Sequence, residues 1–266
     1  MVVPFYNPGA ALRPTIERAV TALSAAGWTF EIVAVCDGAT DGSEATIEGR
    51  WPGILTTVSY RPNRGKGFAV RTGMAQARGR LVGFIDADGD IPPEVLPELV
   101  ARAEETGADI VFGSKRAKGS TPHQPWVRRA ASSGYRLLVR ILFDLEVADT
   151  QTGVKLLNGA LARALVAEMV EERFAFDLEM FVLARRLGYR QFVEVPVRLD
   201  KRYTSTVSLG EARSILVDTL KLFFRFRLRK GVRTPRPRTS PGASEAGQSD
   251  PAHAGRRVPD QDVDPG

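Results

Sequence analysis

Between residues 2 and 112 short apolar runs alternate with helix-like segments, and a chain with that rhythm buries itself most readily as a parallel sheet with helices on both faces. The runs are Val2 to Pro4, Phe30 to Val35, Val58 to Arg61, Leu81 to Ile85 and Asp109 to Phe112. Arg13 to Ala25 carries Ile16, Val20 and Leu23 at helical spacing with Gly27 as a stop, and Asn63-Arg64-Gly65-Lys66-Gly67 opens a helix reaching Ala77. Residues 43 to 49 suit a short helix. Pro92-Pro93-Glu94 starts another, in which Val95, Leu99 and Val100 face a core. Ligands of such sheets bind beyond the carboxyl ends of the strands, so the residues that follow the runs carry the chemistry.

The clearest of these follows Leu81 to Ile85, where Asp86-Ala87-Asp88-Gly89-Asp90 delivers three carboxylates to one loop. Hard oxygen donors at alternating positions suit Mg²⁺ or Mn²⁺, ions that keep open positions for substrate phosphates. Chemistry on a nucleotide diphosphate is the expectation. The competing reading is an acidic turn ending a strand, since Asp and Gly are ordinary turn residues.

Composition narrows the mechanism. The only histidines are His123 and His253 and the only cysteine is Cys36. Catalysis by a Ser/His/Asp or Cys/His arrangement is thereby set aside, along with an intrachain disulfide and a cysteine-rich zinc site. What remains is carboxylates, cations and a metal. The formal net charge of +6 is concentrated toward the C-terminus, and 43% hydrophobic residues over 266 positions suffice for a large core. No stretch reaches the roughly eighteen apolar residues of a spanning helix, and the N-terminus lacks the pattern of a signal peptide. The expectation is a chain without a transmembrane helix in a reducing, cytoplasmic setting.

After residue 113 the pattern changes. Arg128 to Leu145, Leu161 to Met169, Leu178 to Leu187 and Glu211 to Lys230 read as helices and Phe192 to Arg198 as a strand, with Asp149 to Lys155 as a loop. The helix over 128 to 145 sets Tyr135, Leu138 and Ile141 against Arg136 and Arg140, which suit a solvated face or headgroup contact. Residues 1 to 208 form the expected catalytic domain, and 209 to 230 a basic amphipathic helix. From Gly231 onward Pro, Ser, Gly and charge dominate, so 231 to 266 read as a disordered tail.

Several motifs in order resemble family 2 glycosyltransferases of the GT-A fold: Val3-Pro4-Phe5-Tyr6-Asn7, Cys36-Asp37-Gly38-Ala39-Thr40-Asp41-Gly42, Asn63-Arg64-Gly65-Lys66-Gly67 and Asp86-Ala87-Asp88. Asp149-Thr150-Gln151-Thr152-Gly153-Val154-Lys155, Phe174-Ala175-Phe176-Asp177-Leu178-Glu179 and Glu194-Val195-Pro196-Val197 are similar to the polyprenyl-phosphate branch, the dolichyl-phosphate glucosyltransferases and dolichol-phosphate mannosyltransferases, with the 149 to 155 segment closer to the glucosyl members.

The resemblance implies a metal held by Asp86, Asp88 and Asp90, and a donor site built from Pro4, Tyr6, Asn7, Asp37, Lys66, Asp86, Ala87 and Asp88. Asp37 would accept from the nucleotide base, the alternative being a turn-forming Asx residue. Cys36 stands where relatives often have a second acid. Lys66 is placed to meet a donor phosphate, with a surface lysine as the alternative, and Arg71 ranks behind it. On the acceptor side Lys115, Arg116, Arg129 and Arg202 would act in catalysis together with Asp88, and Arg128, Asp149, Gln151, Lys155, Asp177 and Glu179 would border the sugar and acceptor pocket. Helix capping is the alternative for Asp177.

The activity implied is inverting, metal-dependent transfer of a hexose, glucose first and mannose second, from a nucleotide sugar to polyprenyl phosphate. The partners implied are that donor, that acceptor and an anionic membrane surface, with no nucleic acid, and attachment would be peripheral on the cytoplasmic face. Arg225, Arg227, Arg229, Lys230 and Arg233, beside Phe223, Phe224 and Phe226, suit anionic headgroups, whereas a core-packed helix would use the same apolar residues inside. The rivals are a soluble family 2 enzyme with a glycan or small-molecule acceptor and a non-catalytic basic binding protein.

Overall fold

Neighbouring residues along each strand serve opposite faces of one sheet, and two cores result. Val2, Val33, Val35, Val82, Phe84, Ile110, Phe112 and Leu157 face one core, while Val3, Phe5, Ile32, Ala34, Ile85, Val111, Val154 and Leu156 face the other. The structure, a computed structural model, describes residues 1–114, 126–147, 149–173, 175–199 and 209–228, with the side chains of 126–133 and 209–214 excepted.

The strands are β1 (Val2–Phe5), β2 (Ile32–Asp37), β3 (Leu55–Tyr60), β4 (Leu81–Ile85), β5 (Ile110–Ser114), β6 (Val154–Asn158) and β7 (Phe192–Pro196). They lie in the order β3-β2-β1-β4-β6-β5-β7. β6 runs antiparallel to both β4 and β5, and the other pairings are parallel. The helices are α1 (Leu12–Ala25), α2 (Lys66–Gln76), α3 (Leu96–Thr106), α4 (Trp126–Phe143), α5 (Gly159–Glu168), α6 (Phe176–Arg186) and α7 (Leu209–Leu228). α1 and α3 cover one face through Leu12, Ile16, Leu23, Leu96 and Leu99. α2, α5 and α6 cover the other through Val70, Met74, Leu161, Leu165, Phe176 and Phe181.

The expected alternation is present, with two departures. Lys155 does not lie on a loop, because Val154–Asn158 is a central strand and Lys155 is its second residue, paired with Phe84 and with Phe112. α7 is not a separate unit, since Leu222 and Phe226 are buried in the same core as Val139 of α4, and Tyr135 Oη meets Thr219 Oγ1 at 2.9 Å. Residues Met1–Pro235 form one compact unit. The remaining unit, Arg236–Gly266, and with it most of the tail expected to be disordered, lies outside the described residues.

Candidate active site

The carboxyl ends of β1, β2 and β4 and the start of α2 gather the donor-side candidates. Asp37 ends β2 and is buried. Its Oδ1 accepts from the Arg64 amide at 2.7 Å, and its Oδ2 accepts from the Gly65 amide and from Asn63 Nδ2, both at 2.8 Å. Both oxygens are thus engaged by the turn that starts α2. The carboxylate anchors residues 63–65, in keeping with the turn-forming alternative extended across two loops. Gly38 makes the crossing possible, because a Cβ there would stand 2.8 Å from the Asn63 nitrogen and its φ is +72°.

Asn7 joins the same edge by accepting from the Thr40 amide at 2.7 Å. Tyr6 is exposed, whereas Pro4 is buried inside β1 opposite Val35. Pro4 therefore supports the sheet. Asp41 accepts from Gly9 and from the amide and hydroxyl of Ser43, an Asx turn that ties the β1 and β2 loops together.

The glycines of the Asn63 to Gly67 segment have a packing role. A Cβ at Gly65 or Gly67 would lie 2.5 Å from the carbonyl oxygens of Glu172 and Glu171 respectively. The 170–173 loop therefore docks flat on the start of α2, and the Phe68 amide donates to the Glu172 carbonyl at 3.2 Å. Arg71, similarly, donates to the Met169 carbonyl. Lys66 is directed inward: its Nζ lies 2.5 Å from Asp86 Oδ1 and within 6 Å of the Phe84 and Phe176 rings, at 5.7 and 5.9 Å. Burial alone would lower its pKa, yet the Asp86, Asp177 and Asp88 carboxylates outweigh it and hold the ammonium above its ordinary value.

Asp86, Asp88 and Asp90 leave β4 in one turn but point to different partners. Asp86 faces Lys66, Asp88 Oδ1 accepts from the Asp90 amide at 2.9 Å, and Gly89 between them has φ +73°. Ala87 is buried, and its carbonyl accepts from Thr15. Among the described residues no group of three or more His, Cys, Asp or Glu side chains is arranged to hold a metal. The donor chemistry nonetheless fits a hard divalent cation. Asp86 Oδ1 is a buried oxygen met by the Lys66 ammonium, and the exposed Asp88 has a raised pKa, through desolvation first and then the nearness of Asp86 and Asp90.

The 149–153 segment packs against this turn. The Asp86 amide donates to the Gly153 carbonyl at 2.9 Å, and a Cβ at Gly153 would lie 2.1 Å from Asp86 Oδ2. Asp149 is half-buried and Gln151 exposed. What approaches Gly153 most closely is Asp86.

Three residues expected around the acceptor lie in the core. Lys155 is 0% exposed, and its Nζ donates to Asp177 Oδ1 at 2.6 Å and to the Thr152 carbonyl at 2.7 Å. Burial pushes the ammonium below its ordinary range, with Asp177 opposing the shift. Asp177 is buried as the partner of Lys155. Glu179 accepts from the Val170 and Glu171 amides and from Arg225, and burial raises its carboxyl despite them. All three side chains find their partners in the interior. Lys115, Arg116 and Arg202 lie outside the described residues, as do the side chains of Arg128 and Arg129 on α4.

The chain is 30% identical over 203 residues to the dolichyl-phosphate beta-glucosyltransferase of Drosophila melanogaster, covering 70% of this chain and 62% of that protein. It is 27% identical over 240 residues to dolichyl-phosphate beta-glucosyltransferase ALG5C of Trichomonas vaginalis, covering 85% and 71%. The chain thus spans under two thirds of the fly protein's length. Among solved structures, glucosyl-3-phosphoglycerate synthase from Mycobacterium tuberculosis with Mn²⁺, uridine diphosphate and phosphoglyceric acid superposes with a TM-score of 0.62 at 21% identity, over 84% of this chain and 77% of that one. Mannosyl-3-phosphoglycerate synthase from Rubrobacter xylanophilus gives 0.63 at 16%, over 89% and 77%. The fold is GT-A. The model of glycosyl transferase family 2 matches residues 1–162, and the chain, a glycosyltransferase, belongs to that family.

Proposed function

We propose that this enzyme transfers glucose from a nucleoside diphosphate sugar to the phosphate of a polyprenyl lipid, with inversion at the anomeric carbon. The observation that carries the reading is the meeting of Lys66 with the Asp86 to Asp90 loop at the carboxyl edge of the sheet. A lysine and clustered carboxylates at that edge suit a diphosphate and a divalent cation, and the relatives named as dolichyl-phosphate beta-glucosyltransferases supply the sugar and acceptor class.

Asp88, with Asp86 and Asp90, would hold Mg²⁺ or Mn²⁺, which when bound neutralises charge on a departing diphosphate. Lys66 would turn from Asp86 to a donor phosphate oxygen. Asp37 and Asn7 would act by fixing the loops around the base, with Tyr6 exposed beside them. A phosphate monoester carries about 1.5 to 2 negative charges at neutral pH, so its oxygen attacks without a strong base. Positioning then supplies much of the acceleration. Lys115, Arg116, Arg128, Arg129 and Arg202 are the cations proposed to grip the acceptor phosphate, with Asp149 and Gln151 on its border.

A prenyl tail stays in the bilayer, so the enzyme would rest on an anionic membrane surface. No described helix is long and apolar enough to cross a membrane. The adjacent helices α4 and α7 expose Leu137, Ile141, Leu220, Phe224 and Leu228 alongside Lys221 and Arg227. Arg225 and Phe226 leave the headgroup set, being engaged inside, and Arg229, Lys230 and Arg233 lie outside the described residues. The test is incubation with labelled UDP-glucose or GDP-mannose, Mn²⁺ or Mg²⁺ and a short prenyl phosphate, followed by organic extraction. Label from UDP-glucose in the organic phase is expected; label passed only to water-soluble acceptors would overturn the assignment.

A further inference from the structure

The buried Lys155–Asp177 pair has no part in the transfer steps above. Removing two charges from water is costly, and mutual attraction seldom does more than offset that cost, so an apolar pair of similar volume would serve stability as well or better. Stability alone therefore does not account for a lysine in the second position of a central strand. Its contacts do.

Besides Asp177, the Lys155 ammonium meets the Thr152 carbonyl, one residue before Gly153. Gly153 in turn receives the Asp86 amide on its carbonyl and leaves room for the Asp86 carboxylate where a Cβ would not. Thr152 is 0% exposed and its own hydroxyl oxygen has no hydrogen-bond partner, so the turn is not held by that side chain. On the far side Asp86 is met by Lys66. The Phe84 ring borders both ammonium groups, at 5.1 Å from Lys155 and 5.7 Å from Lys66.

We infer that Lys155 and Asp177 are a positioning pair: the ammonium clamps the Thr152–Gly153 turn onto the backbone and carboxylate of Asp86 and so fixes the first acid of the donor loop. This role rests on the reading of Asp86 to Asp90 as the donor and metal loop. Outer partners of metal-holding carboxylates typically govern affinity by about 10- to 100-fold.

The experiment replaces both charges together, Lys155→Met with Asp177→Leu, and compares the ligand-free proteins by amide hydrogen exchange and their Mn²⁺-dependent UDP binding by titration. The variant should fold. Exchange at the Asp86 amide should accelerate about tenfold, with the β1 and β2 amides unchanged, and half-saturation by Mn²⁺ should rise roughly tenfold. Wild-type values in either measurement overturn the inference, and so does failure to fold, which would make the pair a stability element. Asp88→Ala serves as the control. If Asp88→Ala binds Mn²⁺ and UDP like the wild type, the donor-loop reading itself fails; if it loses binding while the double variant does not, only the positioning role is removed.

Discussion

Gly153 and Asp86 are in contact that no other residue at position 153 would permit, for a Cβ there would lie 2.1 Å from one carboxylate oxygen and 2.5 Å from the carboxyl carbon. Gly153→Ala should therefore displace Asp86, or the turn that carries Gly153. A destabilisation of about 1 to 3 kcal/mol is expected from the overpacking, together with a rise in the Mn²⁺ concentration that half-activates the enzyme. Urea unfolding and metal titration of activity check the two effects.

Asp37 gives a contrasting case, in which a structural effect should come first. Asp37→Asn keeps the shape but replaces one acceptor oxygen with a donor that faces the Arg64 and Gly65 amides or Asn63. Leaving a buried amide unsatisfied costs about 1 to 3 kcal/mol. The melting temperature should fall and KM for the donor should rise more than kcat falls, as steady-state kinetics with varied nucleotide sugar would reveal.

Asp88 is exposed and lies outside the core. Asp88→Ala should leave the melting temperature within a degree or so of the wild type while turnover drops roughly a hundredfold or more, the loss expected when several kcal/mol of charge stabilisation disappear. Thermal melts beside radiolabel assays decide this.

Arg225 reaches both Glu171, at 2.8 Å, and the buried Glu179. Arg225→Ala would strand the Glu179 carboxylate, a change that typically costs about 3 to 5 kcal/mol. Adding Glu179→Gln to it should recover much of the loss, because the amide still accepts from the 170–171 backbone. Chemical denaturation of the single and double variants measures the coupling.

Arg18 binds Glu94 in a bidentate pair, at 2.8 and 2.7 Å, and holds that carboxyl below its ordinary range. A carboxyl depressed in the folded state contributes stability above its unfolded pKa and loses it as pH falls. The pair is well exposed, so Arg18→Ala should cost no more than about 1 kcal/mol at neutral pH. The gap between variant and wild type should close below about pH 4 and in high salt, as a pH series of urea unfolding curves would record.

How far the sequence could be read depended on how local each signal was. β1 to β5 each pair an apolar run with its own turn residues, and the acidic loop after β4 is contiguous, so these were legible. β6 was not, because Lys155 interrupts its apolar run and only Asp177, twenty-two residues on, makes burial tolerable there. Asp37 presents the same difficulty: its partners stand 26 to 28 residues downstream, and nothing around it distinguishes a loop anchor from a ligand contact. Arg225 read as a headgroup contact because charge and amphipathic pattern do not disclose a carboxylate 46 positions earlier. The glycines of 63–67 read only as the opening of a helix around Lys66, because the backbone they admit belongs to a loop over a hundred residues away.

The contacts of Arg225 also bear on how attachment to a bilayer can be studied. The 170–173 loop is pinned by α7 on one side and seated on the opening glycines of α2 on the other, so the last described helix and the lysine beside the acidic loop share one support. Cutting the chain before Leu209 would remove more than a greasy exterior. It would deprive Glu179 of its counterion and loosen the seat of Lys66, so an inactive truncate would say nothing about lipids, whereas exchanging Ile141 or Phe224 at the exterior would.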